Sequence, residues 1–148
     1  MIGAIIGDIV GSIYKYDNLK NKGFEFFKKE STFTAGTIMT IAVADFILSD
    51  SLPSKPRLVG YFHSWFKKYP NESYGNSFEK WMQSFDKIHY TDFKPYNSYG
   101  NGAAMRISAI GDYSKVVEQA MERADFVTSV SHNHPEGIKA AQAIASLI

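Results

Sequence analysis

Residues 97–102 read Asn97-Ser98-Tyr99-Gly100-Asn101-Gly102 and run directly into Ala103-Ala104-Met105, followed by Arg106. Such a loop lets the backbone reach positive φ and approach a ligand closely. Where it opens a helix, the first N–H groups have no partner inside the helix. With the helix dipole they favour an anion, most naturally a phosphate. Arg106, about a turn further on, could add a charge-assisted contact. The same residues also suit an ordinary tight turn capped by Asn or Ser, and Arg106 suits a structural ion pair. The loop by itself fits either reading.

Composition narrows the chemistry. The chain has 148 residues, 45% of them apolar, with a net charge of +1. That length carries one domain, residues 1–148, with a sizeable core. The charge gives no electrostatic case for nucleic acid. There is no cysteine, which excludes disulfides, zinc–thiolate sites and thiol nucleophiles and agrees with a cytoplasmic protein. The apolar start, Met1 to Ser12, is short, lacks a basic flank and is interrupted by Asp8. It is neither a leader nor a membrane span. Aromatic residues make up 15% of the chain, enough for an aromatic core or for surfaces that stack on a planar ligand.

The elements that must position the loop read as helices. Gly3, Gly7 and Gly11 are four apart, which puts them on one helical face open to a neighbouring backbone. A buried first helix over 2–14 is expected, with a strand ending near Gly7 as the alternative. Residues 15–35 are irregular, aromatic and charged, the length and character of a binding loop or lid. Thr34 or Gly36 can cap a second helix over 36–49, with Ile38, Ile41, Ala42, Ala44 (or Asp45), Phe46 and Leu48 apolar. A break at 49–56 precedes a third helix over 57–69, and a short fourth follows over 77–85. Beyond the glycine loop the pattern predicts one helix over 103–110. Another is capped by Asp112 or Ser114 and runs to Val127. The last begins at Pro135 or Glu136, proline being favoured in the first turn. No strand pair or repeat is legible, so the fold class is all-α, a compact orthogonal helical domain.

Three stretches taken together resemble the ADP-ribosylglycohydrolase family. They are Gly3 to Ser12 with its Gly-Asp-x-x-Gly-Ser, the loop Tyr96 to Arg106, and Ser131 to Gly137 with its His-x-His-Pro-Glu-Gly; Tyr74-Gly75 before an aromatic helix fits as well. The resemblance covers essentially the whole chain. It implies an all-α protein that binds ADP-ribose and, with two magnesium ions, cleaves its glycosidic link to an acceptor. By this resemblance Gly100 to Arg106 would cradle the diphosphate. Tyr74 and Gly75 would lie along ribose and phosphates, and His132 near the cleft; His132 could equally cap the last helix.

Three departures from the family pattern fall on its metal and catalytic set. The Thr-Asp-Asp-Thr metal motif reads Thr34-Ala35-Gly36-Thr37 here, without either carboxylate. Magnesium is a hard ion held by carboxylates, and two threonine hydroxyls do not replace two anions. A glutamate found after the Gly-Ser of the first motif is Lys15. Relatives also continue past residue 148 and carry a second aspartate-rich motif there. Loss of hydrolytic features beside an intact phosphate loop implies a binder of ADP-ribose or a related NAD-derived nucleotide, without metal or cofactor. The alternatives are a hydrolase using Asp8, Glu136 or a carboxylate of a second subunit, and an interaction module without ligand. A homodimer or higher closed oligomer is expected, with Ile144, Leu147, Ile148 and the 3–11 glycine face in or near the interface. The other expectation is that the last turn folds back on its own core.

Overall fold

A computed structural model describes residues 1–17, 19–49 and 52–148. Asn18, Asp50 and Ser51, which belong to the expected lid and break, lie outside the described residues. The described chain is all-helical. Its α-helices are α1 (Ile2–Gly11), α2 (Ala35–Ser49), α3 (Lys55–Lys68), α4 (Asn76–Ser84), α5 (Gly102–Met105), α6 (Ser108–Tyr113), α7 (Val117–Thr128) and α8 (Pro135–Ser146). Short 3-10 turns lie at Ser12–Tyr14 and Tyr90–Asp92.

Local chemistry sets most helix ends. The Ser54 side chain accepts from the Arg57 N–H at the start of α3, with proline in the first turn and Lys67 and Lys68 in the last, where they complement the dipole. At α8, His134 is the cap: its Nδ1 accepts from the Glu136 N–H at 3.2 Å, and Pro135 follows. His132 therefore does not cap this helix. The cap of α7 is Val116, which makes no side-chain bond; Asp112 instead pairs with the Met1 ammonium.

One core runs through α2 to α8. Ile38, Val43 and Phe46 of α2 meet Leu58, Phe62 and Phe66 of α3, Ile107 and Ile110 around α6, and Val127 and Val130 around α7. The aromatic residues build a wall beside it. Phe66, Tyr74, Phe78, Trp81 and Tyr96 follow one another with ring centroids 5.0–6.0 Å apart. Such contacts add to the burial of the rings themselves, and they carry the 74–96 segment to the edge of the glycine loop. Leu48, placed on the apolar face by spacing, is 74% exposed, whereas Met39 and Val43 are buried. Because α2 is covered nearly all round, its periodicity gave little direction.

Two further expectations are corrected. Helix α1 is not buried: Val10 is its one buried residue, Ile2 is 72% exposed, and a Cβ on Gly3, Gly7 or Gly11 would meet nothing within 4 Å. The glycine face is open because no described element packs on it. The expected 103–110 helix is two pieces. Backbone angles near φ −96°, ψ 0° at Arg106 and φ −90°, ψ −9° at Ile107 lie in the bridge region, and the turn there sends the Arg106 side chain inward. At the C-terminus, a Cβ on Gly111 would lie 2.6 Å from the Ile148 Cβ. Ile148 thus folds back onto α6, while Leu147 stays 82% exposed.

Candidate functional site

The start of α2 is tied to α1 by one carboxylate. Asp8 Oδ2 accepts from the Thr34 N–H (2.7 Å), the Thr37 N–H (3.0 Å) and the Thr37 hydroxyl (2.7 Å), while Oδ1 accepts from the Thr34 hydroxyl (2.5 Å). Asp8 acts as an N-cap supplied by another helix, satisfying donors that a helix start leaves unpaired. Burial pushes the Asp8 carboxyl up, but the bonds from Thr34 and Thr37 outweigh it and hold the group below 3.8. Gly36 makes room for this arrangement: a Cβ there would sit 3.0 Å from Asp8 Oδ1 and 3.2 Å from the Met105 Cε.

This donor set does not fit a magnesium centre. Ala35 and Gly36 supply no side-chain oxygen, both threonine hydroxyls donate to Asp8, and Asp8 already accepts from four protein donors. Among the described residues no cluster of three His, Asp or Glu could hold a metal ion. A hard divalent ion needs several oxygens free to face it.

A cleft of about 500 Å³ opens beside this knot. Its walls come from the end of the 3-10 turn after α1 (Lys15, Tyr16), the start of α2 (Ala35, Gly36), the entry to α4 (Tyr74, Gly75) and the glycine loop (Ser98, Gly100, Asn101, Gly102), with Met105, Arg106, Tyr96 and His132 also lining it. These segments are distant in sequence. Lys15 and Arg106 are the cations among the lining residues, and none of those residues is Asp or Glu. The Lys15 Nζ donates across to the Ser73 carbonyl at 3.0 Å. Ser73 has φ of 43°, a left-handed conformation that costs a non-glycine residue energy.

The other expected residues are placed as follows. Asn97 takes φ 52°, and its N–H donates to Asn133 Oδ1 at 2.8 Å. Tyr99 is 76% exposed and meets the His134 ring edge-on. Ala103 is fully buried in the core. None of these three lines the cleft, and neither do Thr34 and Thr37. Tyr74 lines it with a ring held by Phe66 and Phe78, its hydroxyl donating to the Tyr69 carbonyl at 2.9 Å; burial, with the Glu72 charge adding, pushes that phenol up. Glu136 is exposed and pairs with Lys139 at 2.9 Å, which holds its carboxyl low, the hydrogen bond first and the lysine charge second.

The chemistry first read into the glycine loop is partly corrected. No described glycine has positive φ; the left-handed position in the loop is Asn97, a residue that tolerates it. Gly102 is small for a different reason, since a Cβ there would lie 3.1 Å from His132 Nε2. Helix α5 has four residues, too few for an aligned dipole of the expected size. Arg106 has no carboxylate partner among the described residues. It is 1% exposed, its guanidinium lies 4.6 Å from the Phe62 ring centroid, and its Nη2 donates to Ser131 Oγ at 2.7 Å and the Val127 carbonyl at 3.5 Å. Burial lowers it to about 10, with Tyr96 opposing, so it is charged at neutral pH. His132 is 4% exposed. Burial first and the Arg106 charge second bring it down to about 3, leaving a neutral imidazole.

Tyr96 and Ser131 open two of the stretches that carry the resemblance, but sequence reasoning gave neither a role in the site. Their involvement follows from the buried arginine behind the loop, and the one signal for it was an arginine ending an otherwise apolar run at Met105.

No curated protein matches this chain. The family model for ADP-ribosylglycohydrolase matches residues 1–148, and the chain accordingly belongs to the ADP-ribosylglycohydrolase family.

Proposed function

We propose that this chain binds ADP-ribose or a related NAD-derived nucleotide in the cleft without cleaving it. The observation that carries the reading is electrostatic. The lining combines a glycine loop, two cations and a neutral histidine with no carboxylate. A family ligand brings a diphosphate of about two negative charges. In a cleft of low dielectric, unopposed cations interact with it far more strongly than in bulk water, and no metal is needed to screen repulsion. Sequestration of a nucleotide is the use that suits this domain best, ahead of reading ADP-ribosylated proteins.

Hydrolysis in this family relies on metal-held aspartates by the resemblance, and the Asp8–Thr34–Thr37 knot supplies none. Neither Asp8 nor Glu136 is among the lining residues. Among the described residues no helix is long and apolar enough to cross a membrane. Titration calorimetry with ADP-ribose in the presence of a chelator, followed by chromatography of the recovered ligand, tests the reading. Saturable binding with intact ligand supports it. Conversion of ADP-ribosyl-arginine to free ADP-ribose points to the hydrolase, and absence of binding to the interaction module.

A further inference from the structure

Behind the glycine loop, three polar groups form a buried chain. Arg106 Nη2 donates to Ser131 Oγ at 2.7 Å, and Ser131 Oγ lies 2.9 Å from His132 Nδ1. The far nitrogen of that ring, Nε2, faces Gly102 and Gly100 at the cleft wall. It has no hydrogen-bond partner among the described residues. His132 is 4% exposed, and with Nδ1 turned to Ser131 its Nε2 is the ring nitrogen left to meet a group entering the cleft.

A neutral imidazole carries one proton, and its site is fixed by what the other nitrogen meets. Guanidinium can only donate, so it takes one lone pair of Ser131 Oγ. The cation polarises that hydroxyl and makes it a better donor, and His132 Nδ1, 2.9 Å away, lies at hydrogen-bond distance to take its proton. The field of the cation acts in the same sense. An Nδ1–H pointing toward Ser131 would put the positive end of its dipole at a buried cation; a lone pair on Nδ1 puts the negative end there.

We infer that Arg106 is a positioning residue, acting through Ser131 to hold His132 as the Nε2–H tautomer, so that a neutral N–H donor is presented to an anionic oxygen of a ligand lying along Gly100 to Gly102. The inference rests on the binding reading above for the ligand, but not for the tautomer. It gives the one nearly buried arginine of the site a purpose other than touching the ligand. It also makes the donor independent of pH over the neutral range, because the ring does not need to gain a proton to donate.

Long-range ¹H–¹⁵N NMR of the ligand-free, uniformly labelled full chain reads the tautomer directly. The expected spectrum of His132 has a protonated, pyrrole-type Nε2 and an unprotonated, pyridine-type Nδ1, unchanged between pH 6 and 8. In Ser131→Ala the Nδ1–H form becomes populated, and ADP-ribose affinity falls about tenfold while the helical signal is kept. An Nδ1–H tautomer in the unsubstituted chain overturns the inference, as does a tautomer ratio unaffected by Ser131→Ala. Because the first measurement needs no substitution and no ligand, it holds even if Ser131→Ala unfolds. An Nε2–H spectrum in a chain that does not bind ADP-ribose upholds the positioning by Arg106 and refutes the binding reading instead.

Discussion

Replacing Asp8 tests whether one carboxylate does the tying of α1 to α2 in place of a metal. Asp8→Ala removes four hydrogen bonds. Two of them cap the first turn of α2, and loss of a cap costs about 1 kcal/mol. The other two leave the hydroxyls of Thr34 and Thr37 without their acceptor. Both threonines are buried, and a buried donor left unpaired costs about 1–3 kcal/mol. Water entering from the cleft will meet part of that demand, so a total of about 3 kcal/mol is expected. For a chain of this size 1 kcal/mol moves Tm by about 2–4 °C, giving a fall of about 6–12 °C. Asp8→Asn, which keeps an acceptor oxygen, should fall by about half as much. The pH dependence has a defined sign. The native carboxyl lies below its ordinary 3.8, so its contribution is complete above the unfolded value and is lost as pH falls through the native one. The gap in Tm between the unsubstituted chain and Asp8→Asn should therefore be constant from about pH 5 upward and close below about pH 4. Circular-dichroism melts from pH 3 to 7 give the answer. An unchanged Tm in Asp8→Ala, or a gap that persists undiminished to pH 3, refutes the reasoning.

Three further outcomes follow from the same geometry. Gly102→Val should abolish ADP-ribose binding with native helical signal, because its Cβ would lie 3.1 Å from His132 Nε2; normal binding by calorimetry would reduce the loop to a turn. Lys15→Glu places an anion in a cleft whose lining has none, and should weaken binding at least tenfold, about 1.4 kcal/mol, with the gap narrowing at high salt; an equal affinity refutes the electrostatic account. The open glycine face of α1 and the exposed Ile2, Ile6 and Leu147 are apolar surface that an interface would cover. Light scattering at micromolar concentration should give a dimer or higher closed oligomer, dissociated by Leu147→Glu with Ile148→Glu; a monomeric mass sinks that expectation.

The helices were legible because their punctuation is local: the break at 49–56 and Pro135 opening the last helix mark where elements change, although α3 starts at Lys55, inside that break. The kink at Arg106 was not, since it goes with burying a guanidinium between α3 and the C-terminal end of α7 rather than with any breaker in the chain. The exposure of α1 also escaped the sequence, because an apolar helix reads the same whether covered or bare. Within the candidate site, the residues along the glycine loop were named from composition. Their mode of packing was not, because Gly102 is small for a histidine thirty residues away. Asp8 was named as a carboxylate that an altered hydrolase could use. Its actual partners, two threonines reached across the lid, follow from Gly36 leaving room for it, a consequence visible once both helices are placed.

The central claim is metal-free nucleotide binding without turnover. Calorimetry of the full chain with ADP-ribose, run once in excess chelator and once in millimolar magnesium, tests it most directly. The account predicts the same saturable isotherm in both, with the ligand recovered intact. Binding that appears only with magnesium, or no binding in either, would contradict it.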